Sequence, residues 1–217
     1  KKKCFEKLFI ELSKFIIDKE RINIIDLGCG TGNFTAKLLS FKSEIYGCDV
    51  SEKSIKVAKK LHPKVNFSVQ NIEKLSFEDN YFDVVIFSGV LHHFENLNPP
   101  LLEAFRVLKK DGVLFSYDTN LFNPFYWLLR RKNSIFYVSA GVTANEEPLS
   151  KKKIINAMQS QKFKNIKVYG ISSMPLESVP GKLSFFVPLY NLLDYLLDIV
   201  PFVRNNIGSF LITKANK

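Results

Sequence analysis

The segment Asp26-Leu27-Gly28-Cys29-Gly30-Thr31-Gly32-Asn33 constrains this chain more than any other. It follows Ile22–Leu27, a short apolar run rich in Ile that reads as a buried strand. It precedes Phe34, Leu38 and Phe41, which stand at helical spacing. A glycine turn between a buried strand and a helix lets backbone approach a ligand with no Cβ in the way. The helix start behind it offers unpaired N–H groups and a positive dipole end. Open α/β sheets bind their ligands at such turns, outside the carboxyl ends of the strands.

The rest of the first half keeps the same rhythm. Residues 4–19 carry an apolar helical stripe through Phe5, Leu8, Phe9, Leu12, Phe15 and Ile16, within an N-terminal helix over 1–20. Glu44–Asp49 reads as a second strand, and Ser51 caps a helix with Ile55, Ala58 and Leu61. Val65–Val69 and Phe82–Phe87 read as strands three and four, the helix around Leu101 and Phe105 follows, and Gly112–Tyr117 is the fifth strand. Strands alternating with helices at short intervals predict a parallel sheet covered on both faces. Beyond it, Ser150 caps a further helix, Ile166–Tyr169 is a sixth strand, and Ser209–Thr213 is the last. With 217 residues and 46% hydrophobic content, the chain is expected to be a single domain with a substantial core.

Three details tell the ligands of such turns apart. The spacing is Gly-x-Gly-x-Gly, and Asn33 stands where a dinucleotide fingerprint needs its third glycine. Asp26 precedes the first glycine by two residues, where a carboxylate attracts an ammonium and repels a pyrophosphate. The second strand ends in Asp49, about twenty residues on, as a ribose-binding acid does. Two carboxylates with no Lys or Arg beside them suit a cationic ligand with a free ribose.

These residues carry a resemblance. Asp26–Thr35 (DLGCGTGNFT) looks like motif I of class I S-adenosylmethionine-dependent methyltransferases, and Gly47–Ser51 is similar to the second-strand motif of that family. Asn71–Val85, Phe87–Phe94 (FSGVLHHF) and Glu103–Phe115 resemble the next motifs in the same order, so the likeness covers roughly the first 120 residues. It is nearest to the subgroup acting on small molecules, quinones, sterols and glycans. The resemblance implies a Rossmann-like, doubly wound, seven-stranded sheet of order 3-2-1-4-5-7-6 with the last strand antiparallel. It implies S-adenosylmethionine as cofactor and S-adenosylhomocysteine as product. It has Asp26 and Gly28 hold the methionine end and Gly30 give close backbone approach, counts Cys29 and Asn33 among the cofactor-binding residues, and sets Ser88 beneath the methionine. Asp49 accepts from the ribose hydroxyls, Val50 packs on the adenine, and Asn71 and Ile72 meet its edge. The family usually has Asp where Asn71 stands; Asn can accept through its carbonyl oxygen, which implies weaker binding, with Gln70 as a fallback contact.

Other features admit two readings. His93 is either a general base near neutral pKa or a packing residue of the loop after strand four; for His92 packing or capping is preferred. Asp118, at the end of strand five, orients a substrate hydroxyl or caps the next turn. No acid stands at metal-ligand spacing from the two histidines, so no metal site is expected. Asn98-Pro99-Pro100 is like the motif of amino-methylating nucleic-acid enzymes but lies ten residues beyond strand four, where the prolines better open a helix. Residues 119–149, with Phe122, Phe125, Tyr126 and Trp127, are long, aromatic and unpatterned, which suggests a lid over an apolar pocket. Residues 183–203 form an apolar helical excursion whose Asp194 and Asp198 argue against a membrane span and leave peripheral membrane contact open.

The net charge of +10 is spread over clusters at helix ends and termini, as on solvated helix faces, so nucleic acid is not the expected partner. Three scattered cysteines and no leader-like segment fit a cytoplasmic protein. Methyl transfer to a small-molecule, glycan or lipid-like acceptor, on oxygen, is the reading these residues favour. The alternatives are a nicotinamide-dependent oxidoreductase and a non-catalytic module that keeps the fold.

Overall fold

The computed structural model describes residues 2–16, 21–124, 126, 146–172 and 187–217. In chain order these give α1 (Lys2–Ile16), β1 (Asn23–Leu27), β2 (Glu44–Asp49), α2 (Glu52–Leu61), β3 (Asn66–Val69) and β4 (Phe82–Ser88). There follow α3 (Asn98–Val107), β5 (Leu108–Thr119), α4 (Lys151–Ser160), β6 (Lys164–Ile171), α5 (Val187–Ile199), α6 (Pro201–Ile207) and β7 (Phe210–Asn216). The strands form one sheet of order β3-β2-β1-β4-β5-β7-β6. Strands β1 to β5 pair in parallel, and β7 runs antiparallel between β5 and β6. This is the doubly wound, Rossmann-like architecture that the sequence predicts.

Alternation along each strand decides which core a side chain joins. Ile24, Val84, Ile86, Val113 and Phe115 face one side, where Leu8 and Leu12 of α1 and Ile55 and Ala58 of α2 cover them. Their neighbours Ile25, Val85, Phe87 and Leu114 face the other, under Leu101 and Ala104 of α3 and Ile154 and Met158 of α4. Burying both faces is why β1 and β4 read as continuous apolar runs.

The helix starts follow their local chemistry. Ser51 Oγ accepts from Ser54 N at the head of α2, and Ser150 Oγ from Lys153 N at the head of α4. The Asn98-Pro99-Pro100 run opens α3, with its prolines in the first turn. Arg106 of α3 donates to Leu75 O, Phe77 O, Asp79 and Glu103, and Glu103 accepts from Leu75 N. That network holds the loop between β3 and β4 against the helix.

Three expectations change. The helix predicted over Phe34–Phe41 is only a short 3-10 turn, Thr35–Ser40, with no side-chain cap at Phe34; without a cap the tighter turn suffices before β2. The fifth strand begins at Leu108 rather than Gly112. Its pairing with β4 steps from Phe82↔Leu108 to Val84↔Val113, and Asp111 adopts φ 65° in the intervening turn. The apolar excursion divides at Val200–Pro201 into α5 and α6, because a proline favours a new helix start. Its faces leave Leu192, Tyr195, Ile199 and Phe202 exposed. Among the described residues no helix is long and apolar enough to cross a membrane. Phe125, Trp127 and most of the expected lid lie outside the described residues.

Candidate cofactor and acceptor site

The carboxyl ends of β1, β2, β4 and β5 meet at one edge of the sheet, where the strand order reverses between β1 and β4. The glycine turn is fastened there from below. Gly28 N and Cys29 N both donate to Cys48 O, at 2.8 and 2.9 Å, so the turn leans on the end of β2. Asp49 completes the attachment: Oδ2 accepts from Gly30 N at 2.9 Å, and Oδ1 accepts from Ser51 N at 2.8 Å. Each oxygen keeps a lone pair for a further donor.

The surface above this framework is open. A Cβ built on Gly30 would meet no atom within 4 Å, whereas one on Gly28 would lie 2.6 Å from Val90. Gly30 therefore borders the crevice, and Gly28 is held against the loop that follows β4. Beside Asp49, Val50 is 75% exposed, an apolar side chain left without cover at the rim. Ile72 is buried nearby in the second core, and Asn71 is exposed with its Oδ1 accepting from Glu73 N at 2.9 Å. Gln70, the fallback contact that the sequence suggests, is engaged within the chain. Its amide is spent on Ser68 and on Ser76, which it holds in the turn after β3. Asn33 is exposed on the turn and donates to Thr31 Oγ1. Cys29 and Cys48 are buried, and burial raises both thiols, Cys48 to about 12; neither is a nucleophile at neutral pH.

Asp26 sits deeper than an open carboxylate. It is fully buried, its Oδ2 accepts from Thr35 Oγ1 at 2.6 Å, and the Ser88 hydroxyl stands close by. Its Oδ1 is buried with no partner. Burial pushes its carboxyl up to about 7, against the two hydroxyls that favour the anion, with Asp49 adding to the rise. Asp26 thus ties the end of β1 to Thr35, just beyond the glycine turn.

The adjoining part of this edge is built from the loop after β4 and the end of β5. His92 and His93 close a short 3-10 turn, Leu91–His93, with their rings 4.3 Å apart. Asp118 is fully buried, and its Oδ1 lies 3.0 Å from His92 Nδ1 and 3.2 Å from His92 N. The residue expected to pack, His92, is thus the one held by the acid. Glu147 N donates to His92 O at 2.9 Å, and Leu149 N to Thr119 O at 2.9 Å. These bonds stitch the segment from Glu146 to Leu149 along the end of β5 and bring Glu146 to the histidines. One ligand-type atom each of His92, His93 and Glu146 lies within 4.8 Å of the others. The lack of an acid beside His92-His93, the ground for expecting no metal, does not hold in the fold: Glu146 arrives from more than fifty residues away, a distance that sequence spacing does not signal. Tyr126 of the expected lid donates to Glu146 Oε1 at 3.0 Å.

An open glycine edge, a carboxylate on the second strand and a bare apolar platform beside it define a nucleoside-binding domain of the doubly wound type. Residues 25–116 match a family model described as a methyltransferase domain. The chain is 26% identical to a malonyl-[acyl-carrier protein] O-methyltransferase of Bacillus cytotoxicus over 74% of its own length and 58% of that protein. It is 29% identical to a ubiquinone biosynthesis O-methyltransferase of Pelagibacter ubique over 46% of its length and 43% of that protein. The chain thus spans less than two thirds of these relatives. A crystal structure of a SAM-dependent methyltransferase from Archaeoglobus fulgidus superposes with a TM-score of 0.65 at 17% identity, covering 98% of this chain and 94% of that one, which shows the shared fold.

Over residues 25–116 the chain is similar to the methyltransferase-domain family, and it shares the fold of S-adenosylmethionine-dependent methyltransferases. The residues present fit that cofactor: Gly30 leaves room for it, Val50 offers an apolar face, and Asp49 keeps lone pairs free for ribose hydroxyls.

Proposed function

We propose that this chain transfers a methyl group from S-adenosylmethionine to an oxygen of a small-molecule or lipid-like acceptor. The observation that carries the reading is the pairing of Asp49 with the open backbone of Gly30. When bound, the cofactor supplies a methyl already activated on a sulfonium, so the protein's task is placement in a dry site.

In this reading Asp49 receives the ribose hydroxyls on its remaining lone pairs, and Val50 supports the adenine, with Asn71 and Ile72 at its edge. Gly28, Cys29, Gly30 and Asn33 shape the methionine end. Asp26 and Ser88 fix the floor below it, and a bound cation favours the ionised form of Asp26. The acceptor enters beside His93 and the His92–Asp118 pair, which offer a site for the proton leaving an acceptor hydroxyl. Oxygen is favoured because the relatives named above are O-methyltransferases by name and because this edge carries imidazole and carboxylate groups. The exposed apolar faces of α5 and α6 are in keeping with a lipid-like acceptor.

Calorimetry with S-adenosylhomocysteine tests the reading. Stoichiometric binding that is lost in Asp49→Ala is the expected result. Absence of binding at millimolar ligand, or preferential binding of a dinucleotide, would overturn it.

A further inference from the structure

We propose that His92, His93 and Glu146 form a divalent transition-metal site at the carboxyl edge of the sheet, with Asp118 as the outer carboxylate that orients His92. The three residues come from two distant segments, yet one donor atom of each falls within 4.8 Å of the other two. Ligands about 2.1 Å from a common ion stand roughly 3–4 Å apart, so small side-chain rotations close this set onto an ion.

The second observation is the carboxylate behind the histidine. Asp118 is wholly buried, and its Oδ1 lies 3.0 Å from His92 Nδ1. A carboxylate in that position keeps the proton on Nδ1 and presents Nε2 as a lone-pair donor, which is how metal-bound histidines are usually held. The third is the support of Glu146. Its Oε1 accepts from Tyr126 at 3.0 Å, and the backbone bond from Glu147 N to His92 O fixes the segment beside the rings.

Two imidazole nitrogens and one carboxylate oxygen suit zinc, iron(II), cobalt(II) or manganese(II), and suit magnesium or calcium poorly. Three protein ligands leave a position open, as in sites that bind and polarise a substrate oxygen. That use, holding the acceptor's oxygen, rests on the methyl-transfer reading; the site itself does not.

The experiment is titration of the chelator-stripped full chain with cobalt(II), read by visible d–d absorption, with S-adenosylhomocysteine binding measured in parallel on every variant. One equivalent of cobalt should bind with the bands of a four- or five-coordinate ion. His93→Ala and Glu146→Gln should weaken it by tenfold or more, and Asp118→Asn by about 10–100-fold, with homocysteine-cofactor binding retained. No cobalt uptake in a protein that still binds S-adenosylhomocysteine overturns the site. So does uptake that is indifferent to both His93→Ala and Glu146→Gln. Cobalt binding with those dependences in a protein that does not bind S-adenosylhomocysteine upholds the site and removes the methyl-transfer reading instead.

Discussion

Asp49 Oδ2 accepts from Gly30 N at 2.9 Å across 19 residues of chain, tying the tip of the glycine turn to the end of the neighbouring strand. The bond orients the carboxylate before any ligand arrives, because its other oxygen is fixed by Ser51 N at the head of α2. In the proposed reading, a carboxylate organised in this way loses little entropy when a ribose enters.

Asp49→Ala should therefore cost cofactor affinity far more than stability. Two charge-assisted hydrogen bonds to ribose hydroxyls are worth about 3–6 kcal/mol together, so the Kd for S-adenosylhomocysteine should rise by at least ~100-fold. Loss of the backbone contacts should lower the melting temperature by only a few degrees. Calorimetry beside a thermal melt separates the two; an unchanged Kd contradicts the clamp.

Gly30→Ala isolates the open edge of the turn. The new methyl meets nothing in the protein, and the φ of 54° costs about 1–2 kcal/mol for a residue with a Cβ. Cofactor affinity should fall by more than that strain explains, because the methyl projects into space that the ligand needs. Equal losses in stability and affinity, measured by urea unfolding and calorimetry, would place the cofactor elsewhere.

The Asp26 carboxyl gives the native state a pH dependence of definite sign. Burial raises it from 3.8 to about 7, so between these values the unfolded chain ionises while the folded one stays protonated. Stability contributed by this group is complete below pH 4, declines as pH rises to about 7, and is constant above. The full span is on the order of 4 kcal/mol at 1.36 kcal/mol for each pH unit of displacement. Asp26→Asn keeps an acceptor for Thr35 and should remove this slope, so urea unfolding at pH 5 and pH 8 should differ less in the variant than in the parent. A cationic ligand favours the ionised carboxylate, and cofactor affinity should therefore rise with pH up to about 7 and then level.

Phe115→Ala tests the core beneath the site. Phe115 is fully buried in the middle of β5, paired with Ile86 of β4 and Lys214 of β7. Its removal should cost about 3–5 kcal/mol, measured by chemical denaturation, with m unchanged if the sheet survives.

What could be read from residues in order is what the chain carries locally. The apolar runs of β1, β2 and β4, the glycine spacing at 28, 30 and 32, and the caps at Ser51 and Ser150 each depend on neighbours a few residues away. Local sterics and hydrogen bonding decide such features, so the sequence by itself settled the sheet, the turn and Asp49 at the end of β2. The folded chain alone decided the burial of Asp26, the choice of His92 rather than His93 as partner of Asp118, and the arrival of Glu146. Those relations join residues 26 to 54 positions apart, or depend on which side of a pleat a group faces. Periodicity records which positions face inward, but only the packing of one strand end against the next determines which inward groups meet.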